Sequence, residues 1–538
     1  MLNVRARGKR ERGLALPMAL MLLVVMLLLV GGLATLVTQE LRNVAYSGFD
    51  NRALYLADAG IQQMVAEEEL SSPGLAVAPP QYYFPADPNG LQPSYKATIL
   101  NHNIINNRRT YLMQSEGLSS EGYQRYVEAL ALEDSFADYN YAGWANAPGN
   151  YFVSGLMQFN GRVYLGGGNS DPVNIWWQNG LASIFDDKVT VEGTLAWAQP
   201  GGGNQPPNSQ TDWLSVDSHG SSYFKQTNQP IGFPPDAAGA VIATEALTGL
   251  SGSSMPSVST HDVYVNDNAA NSTNTGALVT GIYVNGSTNL SFSSTATTET
   301  MTFKPGTGSN PITSQVTVTV DYSANTTTVV EGSKTSTYSG VPSGAGSSVS
   351  GASANGAIFV NGDVTSLSGT VNGDQTIATN DDNENSSENN ITISGNINYE
   401  HDPQSCGCQS TDMLGIIGHN VEVSSNAPAN LTIEAAVFAG NSYDYSHQNT
   451  KQGTFETDQG QNPNNIPKKG PLLVYGSMVN NYISPLGVFN SSNGHLVNGW
   501  ADSYTWDKRF QTNSPPFYPS LSSYTIVGWT DCGSQPCS

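Results

Sequence analysis

Four cysteines, one acidic run and three basic pairs are the residues whose types and spacing could do chemistry. Cys406, Cys408, Cys532 and Cys537 are an even set, which outside the cytoplasm favours disulfides in one of three pairings. Cys532 and Cys537 can close a short C-terminal loop. Cys406-Gly-Cys408 is tight for a local bridge, so a cross-link from it to the C-terminus is a second arrangement. A four-cysteine zinc site is a third, although the spacings are not those of a zinc ribbon. Asn380-Asp-Asp-Asn-Glu-Asn385, with Glu388, gathers oxygen ligands of the kind Ca²⁺ takes. Asp381, Asp382 and Glu384 are its candidate ligands, and a solvated acidic loop is the plainer alternative. Arg108-Arg109 near Tyr111, Lys468-Lys469, and Lys508-Arg509 beside Trp506 set bases among aromatics, as sites for single strands or phosphate do; solvated surface charge is the alternative for each. The seven histidines show no metal-ligand spacing. No phosphate-binding loop, zinc-protease motif, EF-hand or nucleophile elbow occurs. Parallel β-helices can be polysaccharide-cleaving enzymes, so paired acids on one solenoid face are a feature to look for; the sequence alone shows no such pair.

The elements that must carry these residues are mostly strands. The chain has 538 residues, 55 of them Gly, with only 12% charged residues and a net charge of −23. That composition argues against a helix-rich enzyme, a coiled coil and a broadly nucleic-acid-coating surface, while 38% hydrophobic residues suffice for cores. From about residue 75 the pattern is short apolar-alternating runs separated by turns. Nine Asn-Gly dipeptides occur, among them Asn160-Gly161, Asn179-Gly180, Asn285-Gly286, Asn361-Gly362 and Asn372-Gly373; each suits a tight turn between strands. Val263-Tyr-Val-Asn266, Ile282-Tyr-Val-Asn-Gly286 and Ile358-Phe-Val-Asn-Gly362 repeat one pattern. Repeated short strands with Gly/Asn corners predict a β-solenoid in which each coil buries its apolar face on the next, and Asn at the corners can hydrogen-bond between coils. A β-sandwich array is the alternative. Thr313 to Val330 reads as a hairpin projecting from the stack.

The N-terminus is different. Arg5, Arg7, Lys9, Arg10 and Arg12 precede Gly13, and no charge follows from Leu14 to Gln39, a stretch longer than the ~20 residues needed to cross a bilayer. The basic cluster predicts a cytoplasmic N-terminus with the rest of the chain outside. Beyond Leu41, apolar residues at 44/45, 53, 56/57, 60/61 and 64/65 continue the helix in amphipathic form, to a stop at Ser71-Ser72-Pro73-Gly74. At 1.5 Å per residue Leu14–Leu70 would span about 85 Å. A secretory signal peptide and a plain membrane anchor are the simpler readings of the leader.

A short basic leader ending in Gly and followed directly by an uninterrupted apolar helix resembles the class III signal of type IV pilins. The segment Arg52-Ala-Leu-Tyr-Leu-Ala-Asp-Ala-Gly-Ile61 resembles PilX-type minor pilins. The resemblance implies cleavage by a prepilin peptidase between Gly13 and Leu14 and methylation of Leu14. Major pilins carry Glu at the fifth mature position; here that residue is Met18. A buried carboxylate needs a partner, and a tip subunit has no neighbour beyond it to supply one, so the departure implies a tip or initiating subunit. Drift in a non-filament protein is the alternative. Pro17, in the first helical turn, is tolerated there. In the C-terminal third, Met413-Leu-Gly-Ile-Ile417, Ile433–Ala439, Leu472–Ser477 and Tyr504–Phe510 followed by Pro515-Pro516 resemble the heads of large competence pilins. That resemblance implies a β-solenoid inserted in a pilin sheet.

The expected fold class is mainly β with one long N-terminal α-helix, a pilin-like helix and sheet carrying a large β-solenoid. The expected organisation is a leader at 1–13, a transmembrane and pilin helix at 14–70, and a pilin-like β region at 75–140. A solenoid head at 141–420 follows, with an inserted hairpin at about 290–340, and then C-terminal coils with a disulfide-containing tail at 421–538. The resemblance implies a non-enzymatic minor pilin in the bacterial inner membrane and then at the pilus tip, acting in DNA uptake or in priming assembly. Other pilins, the assembly machinery and extracellular DNA are the implied partners, with no small-molecule substrate and no cofactor beyond a candidate Ca²⁺. An adhesin for a surface or glycan is the rival reading.

Overall fold

The computed structural model describes residues 15–70, 81–82, 93–105, 107–145, 150–151, 158–167, 173–176, 184–185, 187–192, 195–198, 224–227, 231, 238–247, 262–266, 275–308, 310–343, 348–349, 352–353, 355–379, 389–405, 410–440, 453–460, 462–490 and 495–537. The fold is mostly strand with one long N-terminal helix. The chain divides into two compact units. Residues 1–103, 110–132 and 523–538 form the first, and 104–109 with 133–522 form the second.

In the first unit helix α1 (Ala15–Leu70) is continuous and ends directly before the predicted Ser-Ser-Pro-Gly stop. Its stretch Leu20–Ala66 is long and apolar enough to cross a membrane. The side chains from Leu20 to Val37 stand exposed, Leu28 at 72%. The second half behaves oppositely. Ala57, Ile61, Met64 and Val65 pack on Ala97, Ile99, Tyr111, Met113, Val127, Ala129, Ala131 and Tyr524. These belong to a five-stranded sheet ordered Gln81–Tyr82, Ser94–Ile105, Arg108–Leu118, Gln124–Ser135, Ser520–Gly533, whose alternating side chains put every second residue against the helix. Helix and sheet meet closely. A Cβ on Gly117 would lie 2.0 Å from the Ala53 carbonyl oxygen. Arg125 adds a clamp, reaching Asp50 on α1 at 3.1 Å and also Asp531 on the last strand.

The second unit is a β-solenoid built on three ladders of parallel strands. In the first, Ile282, Ile358, Ile377, Ile416, Val437, Met478, Tyr141, Val163 and Val189 stand in register, strand after strand. All are buried in one core. Their outward neighbours form a second column: Tyr283, Phe359, Ala378, Ile417, Phe438, Val479, Ala142, Tyr164. This outer face is covered too, by Phe136, by Ile242 and Ala246 of helix α2 (Ala238–Ala246), and by Phe510 and Tyr518. A second ladder stacks Thr288–Thr295, Val364–Val371, Ile391–Tyr399, Val421–Val423, Thr454–Thr457 and Tyr482–Ile483. The third sets Ile397, Ile433, Val474, Tyr504 and Phe159 in register. Corner asparagines bond from coil to coil: Asn361 Nδ2 donates to Asn285 at 3.0 Å and Asn420 Nδ2 to Asn390 at 3.2 Å.

Several expectations need correction. Within 421–538, expected to hold C-terminal coils and a disulfide-containing tail, the strand Ser520–Gly533 joins the five-stranded sheet beside Gln124–Ser135, and its residues from Ser523 belong to the helix–sheet unit. The coils do not stack in chain order: the strand Tyr141–Ala145 pairs with the end of Lys468–Asn480, far along the sequence. Val263–Val265 shares the repeat pattern but runs antiparallel to Ile282–Asn285, so it is not a coil of the parallel stack. The projecting hairpin is a five-stranded antiparallel meander, Thr288–Thr295, Thr298–Pro305, Val316–Asp321, Thr326–Glu331 and Lys334–Ser339. It lies on the core: Met301, Phe303, Val316, Val318, Val320 and Val329 are buried in the same cluster as Ile358 and Val364. Alternating valines need an apolar cover, and a hairpin standing in water would leave one face without it.

Candidate functional site

Several predicted site residues lie outside the described part of the chain: the cleavage pair Gly13 and Leu14, the acids Asp381, Asp382 and Glu384, and Cys406 and Cys408. Pro17 and Met18 are on α1. Cys532 and Cys537 are bonded to each other, their Cα atoms 5.2 Å apart, which closes a loop at the end of the last strand. Among the described residues no group of three or more His, Cys, Asp or Glu is placed to hold a metal ion.

The basic pairs do not form one surface. Arg108 is 3% exposed; its guanidinium pairs with Asp138 and donates to the Phe510 carbonyl oxygen at 2.5 Å. Arg509 donates to both oxygens of Asp507 and to the carbonyl oxygens of Ser410 and Asp412 at 3.0 and 2.8 Å, with its guanidinium 5.1 Å from the Tyr399 ring centre. Both arginines are removed as phosphate contacts, because their donors already serve protein oxygens that burial would otherwise leave unpaired. Lys469 donates to the Ala427 carbonyl oxygen at 2.9 Å and lies over Trp500. Arg109 is 38% exposed and faces Glu133. Lys468 and Lys508 are exposed.

Acids form the more organised arrangement. On the second ladder Thr392, Glu422 and Glu456 occupy one register position on successive coils, about 4.8 Å apart. Glu422 accepts from Asn390 Nδ2 at 3.1 Å and Thr392 Oγ1 at 3.3 Å, and Glu456 from Ser484 Oγ at 3.2 Å. Burial, and then the facing Glu456, push the Glu422 carboxyl up to about 7; burial also raises Glu456. Side by side, each carboxyl disfavours ionisation of the other. With the flanking Ser, Thr and Asn they make a column of hydrogen-bond acceptors, partly exposed at Glu422 and buried at Glu456. This is the acid pair that the sequence did not display. The signal was there in Asn420-Val-Glu-Val423 and Thr454-Phe-Glu-Thr457, which hold Glu in the same frame, but only the coil register shows that the two meet.

A second group of acids is internal. Asp412 accepts from the Gly373 N–H at 3.0 Å, and from the His401 N–H and Nδ1 at 2.8 and 3.0 Å. Asp374 accepts from Asn107 Nδ2 at 2.6 Å and is pushed by burial up to about 8. Glu434 accepts from the Tyr399 N–H and is raised by burial to about 7. Arg509 pins the Ser410–Asp412 backbone to Asp507, so this group braces a corner of the solenoid.

No match was found among family models, curated proteins or solved structures. The functional reading rests on the residues.

Proposed function

We propose that this chain is a minor type IV pilin-like subunit that carries its solenoid head at the pilus tip and acts in DNA uptake or in priming pilus assembly. The observation that supports it most is the two-part helix α1, apolar and exposed from Leu20 to Val37 yet packed on a sheet from Ala53 to Val65, preceded by a basic leader ending at Gly13. In this reading the helix crosses the inner membrane once with its N-terminus in the cytoplasm. A prepilin peptidase cuts at Gly13-Leu14, and other pilins then cover the exposed apolar half, whose burial is favourable at about 25 cal/mol per Å². Mass spectrometry of the mature protein should find N-methyl-Leu14; an intact Met1 in membranes would sink the assignment.

A second reading, a pilus-tip adhesin for hydroxyl-rich surfaces, is favoured by the Glu422–Glu456 column and by the enclosure of Arg108 and Arg509. A clean deletion separates the two when transformation and pili are measured on the same cells. A large fall in transformation with normal pili supports DNA uptake, and loss of both supports priming. Unchanged transformation with lost surface attachment supports the adhesin.

A further inference from the structure

Beyond the apolar core they share and the pairing of Thr288–Thr295 with Val364–Val371, the meander meets the first coils in a buried polar contact to which no described residue brings a cation. Glu299, on the strand Thr298–Pro305, is fully buried. One of its oxygens accepts the Asn372 N–H at 2.9 Å, and the other accepts from Gln375 Nε2. Both partners belong to the corner and strand 372–379 of the solenoid. Beside them the Tyr322 hydroxyl, from the turn after Val316–Asp321, donates to the Asn372 carbonyl oxygen. The other titratable groups facing this contact are Asp412 and Asp374 from the coil, and Glu400, which accepts from Ser294 at 2.8 Å on the neighbouring strand. His401 is turned to Asp412, and Arg509 is spent on Asp507 and two carbonyl oxygens. An ionised carboxylate sealed among acids and amides is costly; a neutral carboxyl fits. Gln375 Oε1 is buried without a partner, and a half-turn of that amide would present it to the O–H of a protonated Glu299.

We propose that opening of the meander from the solenoid is linked to pH through Glu299, opposed while that buried carboxyl keeps its proton and eased as it ionises. Burial raises the Glu299 carboxyl to about 8 in the closed state, whereas an opened, hydrated Glu would sit near ~4.3. A group raised in the closed state favours closure fully at acid pH and loses that advantage as pH rises through the interval between the two values. The open fraction therefore grows by roughly tenfold per pH unit between about 5 and 8 and then levels.

The test is hydrogen exchange on the full-length chain in detergent, corrected for intrinsic rates, read at amides of 298–339 from pH 5 to pH 9. The wild type should show that rise. Glu299→Gln should flatten it. Ser294→Ala, which removes the meander's contact with Glu400 and leaves Glu299 and its partners in place, should raise opening at every pH and keep the slope. A pH-independent wild-type meander would overturn the proposal, and so would a Glu299→Gln variant that retains the wild-type slope.

Discussion

The helix–sheet unit and the solenoid are stabilised in opposite ways. In the first, one long helix lies on one sheet, and the fit depends on small residues: Ala53, Ala57, Gly60 and Gly117 let backbones approach. No carboxylate is buried among its described residues. In the second, each coil rests on its neighbours, and the polar corners carry buried acids, Glu299, Asp374, Asp412, Glu434 and Asp507 among them. A single helix–sheet contact concentrates its energy in a few close approaches, whereas a stack spreads it over nearest-neighbour interfaces. The first should fail at one residue, and the second should fail with pH.

The largest expected contrast is therefore with pH. Glu299 and Asp374 are raised to about 8 and Glu422 and Glu434 to about 7, in each case first by burial. Acids raised in the folded state stabilise it below their unfolded values near ~4, and that stability is lost as pH climbs to 7–8, by at most roughly 1.4 kcal/mol per group per pH unit. Denaturation followed by tryptophan fluorescence and by hydrogen exchange should show the solenoid weakening from pH 5 to pH 8 while the helix–sheet unit changes little. An equal loss in both units would erase the distinction. Next in size, Gly117→Val would drive a side chain into the α1 backbone and cost the helix–sheet unit about 3 kcal/mol, leaving the solenoid transition in place. Protease cleavage within 94–132, with the solenoid still resistant, is the expected pattern.

A smaller effect tests the corners. Asn420 Oδ1 accepts from Gly453 N, Thr454 N and Thr454 Oγ1, at 3.0, 3.0 and 3.1 Å. Asn420→Ala leaves buried donors unpaired and should cost about 2 kcal/mol, read as faster exchange confined to the coils on either side. Loss that spreads through the whole stack would show that the coils are more tightly coupled than nearest neighbours. The smallest effect is expected from Cys537→Ser. The bridged residues are only five apart, so the closed loop restrains little chain entropy, less than the roughly 3 kcal/mol of a longer loop. A modest drop in the melting temperature of the helix–sheet unit is the outcome to look for.

Much of the architecture was legible before any coordinates. The uncharged run after Gly13 and the 3–4 spacing to Val65 predicted α1 to its last turn, because helix periodicity is local. The repeats at Ile282 and Ile358 predicted stacked coils, and they do stand in register. The same pattern misled at Val263, whose strand runs the other way, and at Thr313–Val330, where alternation announced strands but not the core they would cover. The site was less legible than the fold. Arg108 and Arg509 looked like surface bases because nothing local announces that Asp138, Phe510, Ser410 and Asp412 will close around them.

The sequence by itself determined what each segment is: an apolar helix, its amphipathic continuation, short alternating strands and Asn-Gly corners. Each follows from neighbours within a few residues of one another. Only the tertiary structure decided which strands lie side by side. It returns Ser520–Gly533 to the helix–sheet unit, sets Tyr141 beside Met478, stacks Glu422 on Glu456 and buries Glu299 against Gln375. Those choices belong to exposed strand edges that any strand of the right length could satisfy, and the selection is made by how well distant side chains fill one core and pair one another's polar groups.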